Sequence, residues 1–242
     1  MPTLEHHIVG GVTYTTGSGG RLILPAEWIS HNVGTVFIPE LKGVQTYGAK
    51  FSGNVRFYTR AIPQLKAAFA EVGRLGLAGK ILHWDGSFVP RLKRGGSTPS
   101  EHTFATAFDI NAQWNGFKQK PAEPGAKGDL HTVAHVFKRF GFIWGGDWKN
   151  TPDGMHFQIS RILSASEIAA ISQAGPNTTA PVRFFIQGVR EVELKGAHIK
   201  DKRMVANVAD VAHALGYNLV EVNDRRKEAN RFDVRATRET GK

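Results

Sequence analysis

The chain has 242 residues, 41% of them hydrophobic and 21% charged, with a net charge of +10, which is enough for a full core and a small second domain. It has no cysteine, so disulfides and thiolate metal sites are excluded and any metal must sit on His, Asp or Glu. The basic excess, shared between the parts before and after Pro181, favours a polyanionic partner (nucleic acid, an anionic membrane or an anionic wall polymer), although no nucleic-acid motif is present.

Met1 to Gly11 has no Lys or Arg ahead of a long apolar run, so no ordinary signal peptide is expected there. No window approaches 18 apolar residues, so no transmembrane helix is expected either. His6-His7 read as solvated terminal residues. Val9 to Leu24, broken by Gly10-Gly11, Gly17 and Gly19-Gly20, reads as short strands joined by turns. Val33 to Leu41 reads as a strand ending at Pro39, and Val55 to Tyr58 as another. Pro63 to Leu77 is a helix with proline in its first turn and Leu65, Phe69 and Val72 at helical spacing. Ile81 to Trp84 reads as a strand before an Asp85-Gly86 turn. Thr106 to Ile110 alternates, Phe108 and Ile110 on one face, Ala107 and Asp109 on the other. Asp129 to Phe140 is a helix capped by Asp129, with Leu130, Val133, Phe137 and Phe140 as its stripe and Gly141 as its stop.

Phe142 to Trp144 is a short strand. Met155 to Ile159 alternates again, with His156 and Gln158 sharing a face. Ser164 to Ala174 is a helix with Ser164 or Ser166 as cap. Residues 175–181 form a linker by composition. Beyond it come an expected hairpin (Val182 to Ile186 and Val189 to Leu194), a helix from Val205 to Leu215, a strand from Tyr217 to Val222, and a charged tail from Asp224 expected to fray. This pattern implies an α+β protein: domain 1–174 with a central, mainly antiparallel sheet flanked by helices, linker 175–181, and a small α+β domain 182–242.

Two clusters carry chemistry. His102 and Asp109 lie on and before one alternating strand, and His156 lies on another. Two imidazoles and a carboxylate are the donor set of a catalytic zinc, which takes three protein ligands and keeps one open position. If the two strands pair, Asp109 and His156 point into one cleft, and His102 folds back over it from the preceding loop. Asp153, in a Pro-Asp-Gly turn three residues before His156, is placed to act as general base. Arg91 is the candidate cation for a developing oxyanion, with Arg94 in reserve. His131 and His135 are four apart on a helix, but Thr132 stands where a zincin has Glu, so they read as helix-surface residues. Trp144 and Trp148 read as core or cleft-lining aromatics.

Ser100-x-His102-x6-Asp109 followed by Asp153-x2-His156-Phe157 resembles the zinc peptidases that include D-Ala-D-Ala carboxypeptidases, D-Ala-D-Ala dipeptidases and phage L-alanyl-D-glutamate endopeptidases. Trp84-Asp-Gly-Ser-Phe-Val-Pro-Arg91 and Gly141-Phe-Ile-Trp-Gly-Gly-Asp-Trp148 carry the likeness further, so that it spans about Val36 to Gln158. It implies zinc on His102, Asp109 and His156, Asp153 as base, and Arg91 steadying substrate and oxyanion. Ala105 departs from the pattern, which has Gly there. The segment after Gly188 is similar to the small stalk-type domain at the N-terminus of copper amine oxidases, which implies an accessory or anchoring role and no copper.

The expected activity is zinc-dependent hydrolysis of a peptide bond in the peptidoglycan stem, with the L-alanyl-D-glutamate bond preferred over D-Ala-D-Ala because a chain without signal or anchor suits lysis. A non-catalytic wall-binding protein is the alternative from another class. The enzyme is expected to act on the bacterial wall or in the periplasm, made in the cytoplasm and released or exported by another route.

Overall fold

A computed structural model describes residues 1–18, 21–93, 96–174, 182–186, 192–194, 217–225 and 231–238. The chain divides into two compact units, Met1–Gln173 and Ala174–Lys242.

The first unit begins with two small hairpins, β1 (Thr3–Leu4) with β2 (Val12–Thr13) and β3 (Thr15–Thr16) with β4 (Leu22–Ile23). A helix absent from the sequence expectations follows, α1 (Ala26–Asn32). It buries no residue fully, so it has no apolar stripe by which to be recognised. β5 (Val33–Phe37) pairs antiparallel with β8 (Asn54–Tyr58), and β6 (Gln45–Thr46) with β7 (Ala49–Lys50) lies between them in sequence. The two longer strands therefore form a ribbon of their own and do not join the central sheet.

α2 (Ile62–Arg74) has proline in its first turn, where the missing N–H is not needed. It buries Leu65, Ala68, Phe69 and Val72 along one stripe and stops before Gly76, whose φ is 66°. The next strand, β9, is Trp84–Gly86, not Ile81 to Trp84. Asn111 draws the earlier segment out of the sheet by accepting the Leu82 and His83 N–H groups on its side-chain oxygen.

β10 (Ala107–Ile110), α3 (His131–Arg139), β11 (Phe142–Trp144) and β12 (His156–Ile159) complete the core. α3 starts two residues later than expected, with Leu130 at its N-cap, and Asp129 just before it accepts the His131 N–H at 2.9 Å. The central sheet has the order β11-β12-β10-β9 and is antiparallel throughout. The Phe108 ring lies at its middle, 5.5 Å from Phe69 of α2, 5.1 Å from Phe137 of α3 and 5.2 Å from Phe157 of β12. Both helices thus cover the same face, and the opposite face is left to carry the polar side chains of β10 and β12. α4 (Ala165–Ala174) begins with a reciprocal cap, Ser164 Oγ accepting the Glu167 N–H and Glu167 accepting the Ser164 N–H.

In the second unit β13 (Val182–Ile186) pairs antiparallel with β14 (Val192–Leu194) and parallel with β16 (Arg231–Arg238), which pairs antiparallel with β15 (Tyr217–Arg225). The charged tail does not fray from Asp224: Asp224 and Arg225 lie in β15 and residues 231–238 form β16. The alternation of Phe232, Val234 and Ala236 with charged and polar residues is a strand pattern that the density of charge obscures. The helix expected over 205–215 lies outside the described residues. Among the described residues no helix is long and apolar enough to cross a membrane.

Candidate metal centre

Strand pairing builds the centre. β10 and β12 align so that Asp109 is directly opposite His156, and residues opposite one another in an antiparallel pair project on the same side. Both flanking positions, Phe108 with Phe157 on the other face, are fully buried, which locks the register. Gly86 of β9 is the other neighbour of Asp109. A Cβ at Gly86 would meet nothing within 4 Å.

His102 reaches the same point from the single turn Glu101–Phe104. Its Nε2 lies 3.1 Å from Asp109 Oδ1 and 3.2 Å from His156 Nδ1, and His156 Nδ1 lies 2.9 Å from Asp109 Oδ1. The remaining ring nitrogens are committed elsewhere. His102 Nδ1 donates to the Ser87 carbonyl at 2.6 Å, and His156 Nε2 donates to the Gln158 side-chain oxygen at 3.1 Å. With those protons assigned, His102 Nε2, His156 Nδ1 and Asp109 Oδ1 present three lone pairs to one another. Three acceptors at such spacing repel unless a cation lies among them. Zinc bonds of about 2.0–2.2 Å imply tetrahedral edges of roughly 3.3–3.6 Å, a few tenths of an ångström wider than the triangle observed. These three residues form a group whose ligand atoms all lie within 4.8 Å of one another, and they fit a zinc ion.

The same contacts also favour a proton on His156. Burial opposes a charged His156, but its hydrogen bond and attraction to Asp109 prevail and raise its pKa. Burial likewise opposes ionisation of Asp109, yet the two histidines hold its carboxyl well below the usual range.

Asp153 stands beside this triangle. Its backbone is pinned at both ends, its N–H donating to the Gly145 carbonyl at 2.9 Å and its carbonyl accepting the His156 N–H at 3.0 Å. Among the described residues its Oδ1 is the single buried side-chain nitrogen or oxygen without a hydrogen-bond partner. Burial, reinforced by the negative charge of Asp109, raises its pKa despite the opposing charges of His156, His102 and Arg91. A carboxyl group with an open oxygen and a raised pKa next to a metal site is equipped to take and return a proton.

Arg91 is half-buried, and its positive charge acts on Asp153. Among the described residues its guanidinium makes no ion pair with a carboxylate. Its main chain is sewn to the His102 turn through Thr103, whose Oγ1 accepts the Arg91 N–H and donates to the Arg91 carbonyl. Arg94, the reserve, lies outside the described residues. His131 and His135 are exposed on α3 and take no part in the centre. Trp144 is core, with its Nε1–H donated to the Gly154 carbonyl, whereas Trp148 is half-exposed with its ring 5.7 Å from that of His156.

Three groups support the centre, and two of them escape a reading of the sequence. The Ser87 carbonyl is a main-chain atom and leaves no sequence trace. Gln158 shares the open face with His156, and a period of two is the signal that finds it. His6, expected to be solvated, is 6% exposed and hydrogen-bonds Glu101 at 2.6 Å; its partner is 95 residues away, beyond the reach of any local pattern.

Residues 94–159 match the family described as D-alanyl-D-alanine carboxypeptidase. The matched segment carries all three members of the triangle and Asp153, and its likeness to that family supports a metallopeptidase acting on peptidoglycan. It is narrower than the span from Val36 expected from the sequence words. No solved structure matches the chain.

Proposed function

We propose that the protein is a zinc-dependent peptidase that cuts a peptide bond in the peptidoglycan stem, with His102, Asp109 and His156 as metal ligands. The observation that carries this reading is the triangle of three converging lone pairs beside a carboxyl group with an unpartnered buried oxygen. Zinc bound there supplies Lewis acidity toward the carbonyl and toward water. Asp153 takes the proton of the attacking water and delivers it to the leaving amine. Arg91 faces charge that develops on the carbonyl oxygen. The Ser87 carbonyl and Gln158 hold the two imidazoles in the tautomers the metal needs.

The preferred bond is L-alanyl-D-glutamate: a net charge of +10 suits an enzyme that works on the assembled, anionic wall. D-Ala-D-Ala carboxypeptidase is the second reading, favoured by the description of the matched family. The unit Ala174–Lys242 is assigned an accessory, wall-associating role on its likeness to a stalk-type domain. Digestion of purified peptidoglycan with the zinc-loaded protein tests the reading. New N-terminal D-Glu identifies the endopeptidase, and free D-Ala the carboxypeptidase. Tight binding without cleavage identifies a wall-binding protein and overturns the enzyme.

A further inference from the structure

The turn that carries His102 is only four residues long, Glu101–Phe104, and is held on one side by Ser87 and Arg91. It places Glu101, one residue before the ligand, with its side chain 16% exposed. A carboxylate so shielded needs donors, and its closest one comes from the other end of the unit. His6 sits in the loop of the β1–β2 hairpin, with its side chain 2% exposed. Its Nδ1 accepts the N–H groups of Ile8 and Val9 at 3.1 and 3.2 Å, which leaves the ring proton on Nε2. That nitrogen lies 2.6 Å from Glu101 Oε2. The same ring packs 4.6 Å from Phe104, the last residue of the turn. His6 thus grips the turn at both ends. Thr106 Oγ1 also lies 3.0 Å from Glu101 Oε2 but is shared with the Glu101 carbonyl at 2.9 Å.

We propose that His6 is a positioning residue for the metal centre, holding Glu101 and Phe104 so that His102 stays in register with Asp109 and His156. The inference rests on the metal-centre reading above. It adds a contribution from residues 1–13, outside the segment that resembles known peptidases. Without His6 the Glu101 carboxylate loses its main donor and turns toward water, and the His102 ring moves with it. A metal triangle tolerates displacements of only about 0.5 Å.

Two substitutions separate this role from packing. In His6→Asn the side-chain oxygen can still accept the Ile8 and Val9 N–H groups, which preserves the hairpin, but cannot reach Glu101. In His6→Gln the longer amide can reach Glu101. Zinc affinity of the full chain, measured by competition with a fluorescent chelator, is expected to fall about tenfold in His6→Asn and to recover most of that loss in His6→Gln. Leu4→Ala, which removes a buried contact of the same hairpin, should lower the thermal midpoint of the apo-protein while leaving zinc affinity near wild type. Wild-type zinc affinity in His6→Asn, or a loss in all three variants that follows the drop in thermal midpoint, overturns the positioning role. Failure of the wild-type chain to bind zinc is a distinct outcome, which removes the metal centre itself and this inference with it.

Discussion

Asp153→Asn separates metal binding from proton transfer. The amide keeps the size of the carboxyl group and touches no ligand atom, so zinc should still bind one per chain while turnover falls by about 10²–10⁴-fold; metal analysis and a cleavage assay on the same sample check both halves. In the proposed zinc centre, His156 would make the metal compete with protons. Its pKa is raised by Asp109, so it is protonated below that raised value, and zinc must displace the proton. Zinc affinity should therefore weaken as pH falls through the His156 pKa and level off above it, as chelator competition at several pH values would register. The backbone at Ala105 accounts for the glycine that the resembled pattern has there. It has φ 55° and ψ 28°, the left-handed region, and is fully buried. Glycine there would relieve about 1–2 kcal/mol of strain but lose a buried methyl and gain unfolded-state entropy of comparable size. Ala105→Gly should thus change unfolding free energy by less than about 1 kcal/mol and leave zinc binding intact, as denaturant titration would report.

At the scale of elements, the strands that build the centre were legible and the segments that brace it were not. β10 and β12 announce themselves by alternation, and pairing them is the simplest way to bury Phe108 and Phe157 together. α2 and α3 announce themselves by stripes of Leu65, Phe69 and Val72 and of Leu130, Val133 and Phe137. The exceptions share a cause. α1 has no buried stripe, β9 is displaced by the Asn111 side chain, and His6 acts on a turn 95 residues away; each is decided by tertiary contact, which no local period encodes. Asp129 offers a test at this scale. Burial opposes its charge, but the Gly125 and His131 N–H groups, with Lys80, lower its pKa to about 2. Because the folded value lies below the unfolded one, its contribution is present above the unfolded pKa and is lost as pH falls through about 2. Asp129→Ala should cost about 1–2 kcal/mol at neutral pH, and the gap to wild type should close toward pH 2, as unfolding curves across that range would reveal.

For the whole molecule, the proposed function gives the +10 charge and the candidate metal centre separate parts: the first would bring the protein to an anionic wall and the second would cut it. Adhesion to purified sacculi should weaken steeply between low and physiological ionic strength, since screening shortens to about 8 Å at 0.15 M, whereas cleavage of a short soluble stem peptide should be far less salt-sensitive; sedimentation and peptide assays compare the two. The three lone pairs contributed by β10, β12 and the His102 turn are the point on which the rest depends. Titration of zinc into the full chain and into His102→Ala tests them most directly. One zinc per wild-type chain, and affinity lost by orders of magnitude in the variant, is the predicted result. No binding by the wild type, or equal binding by His102→Ala, would contradict the account.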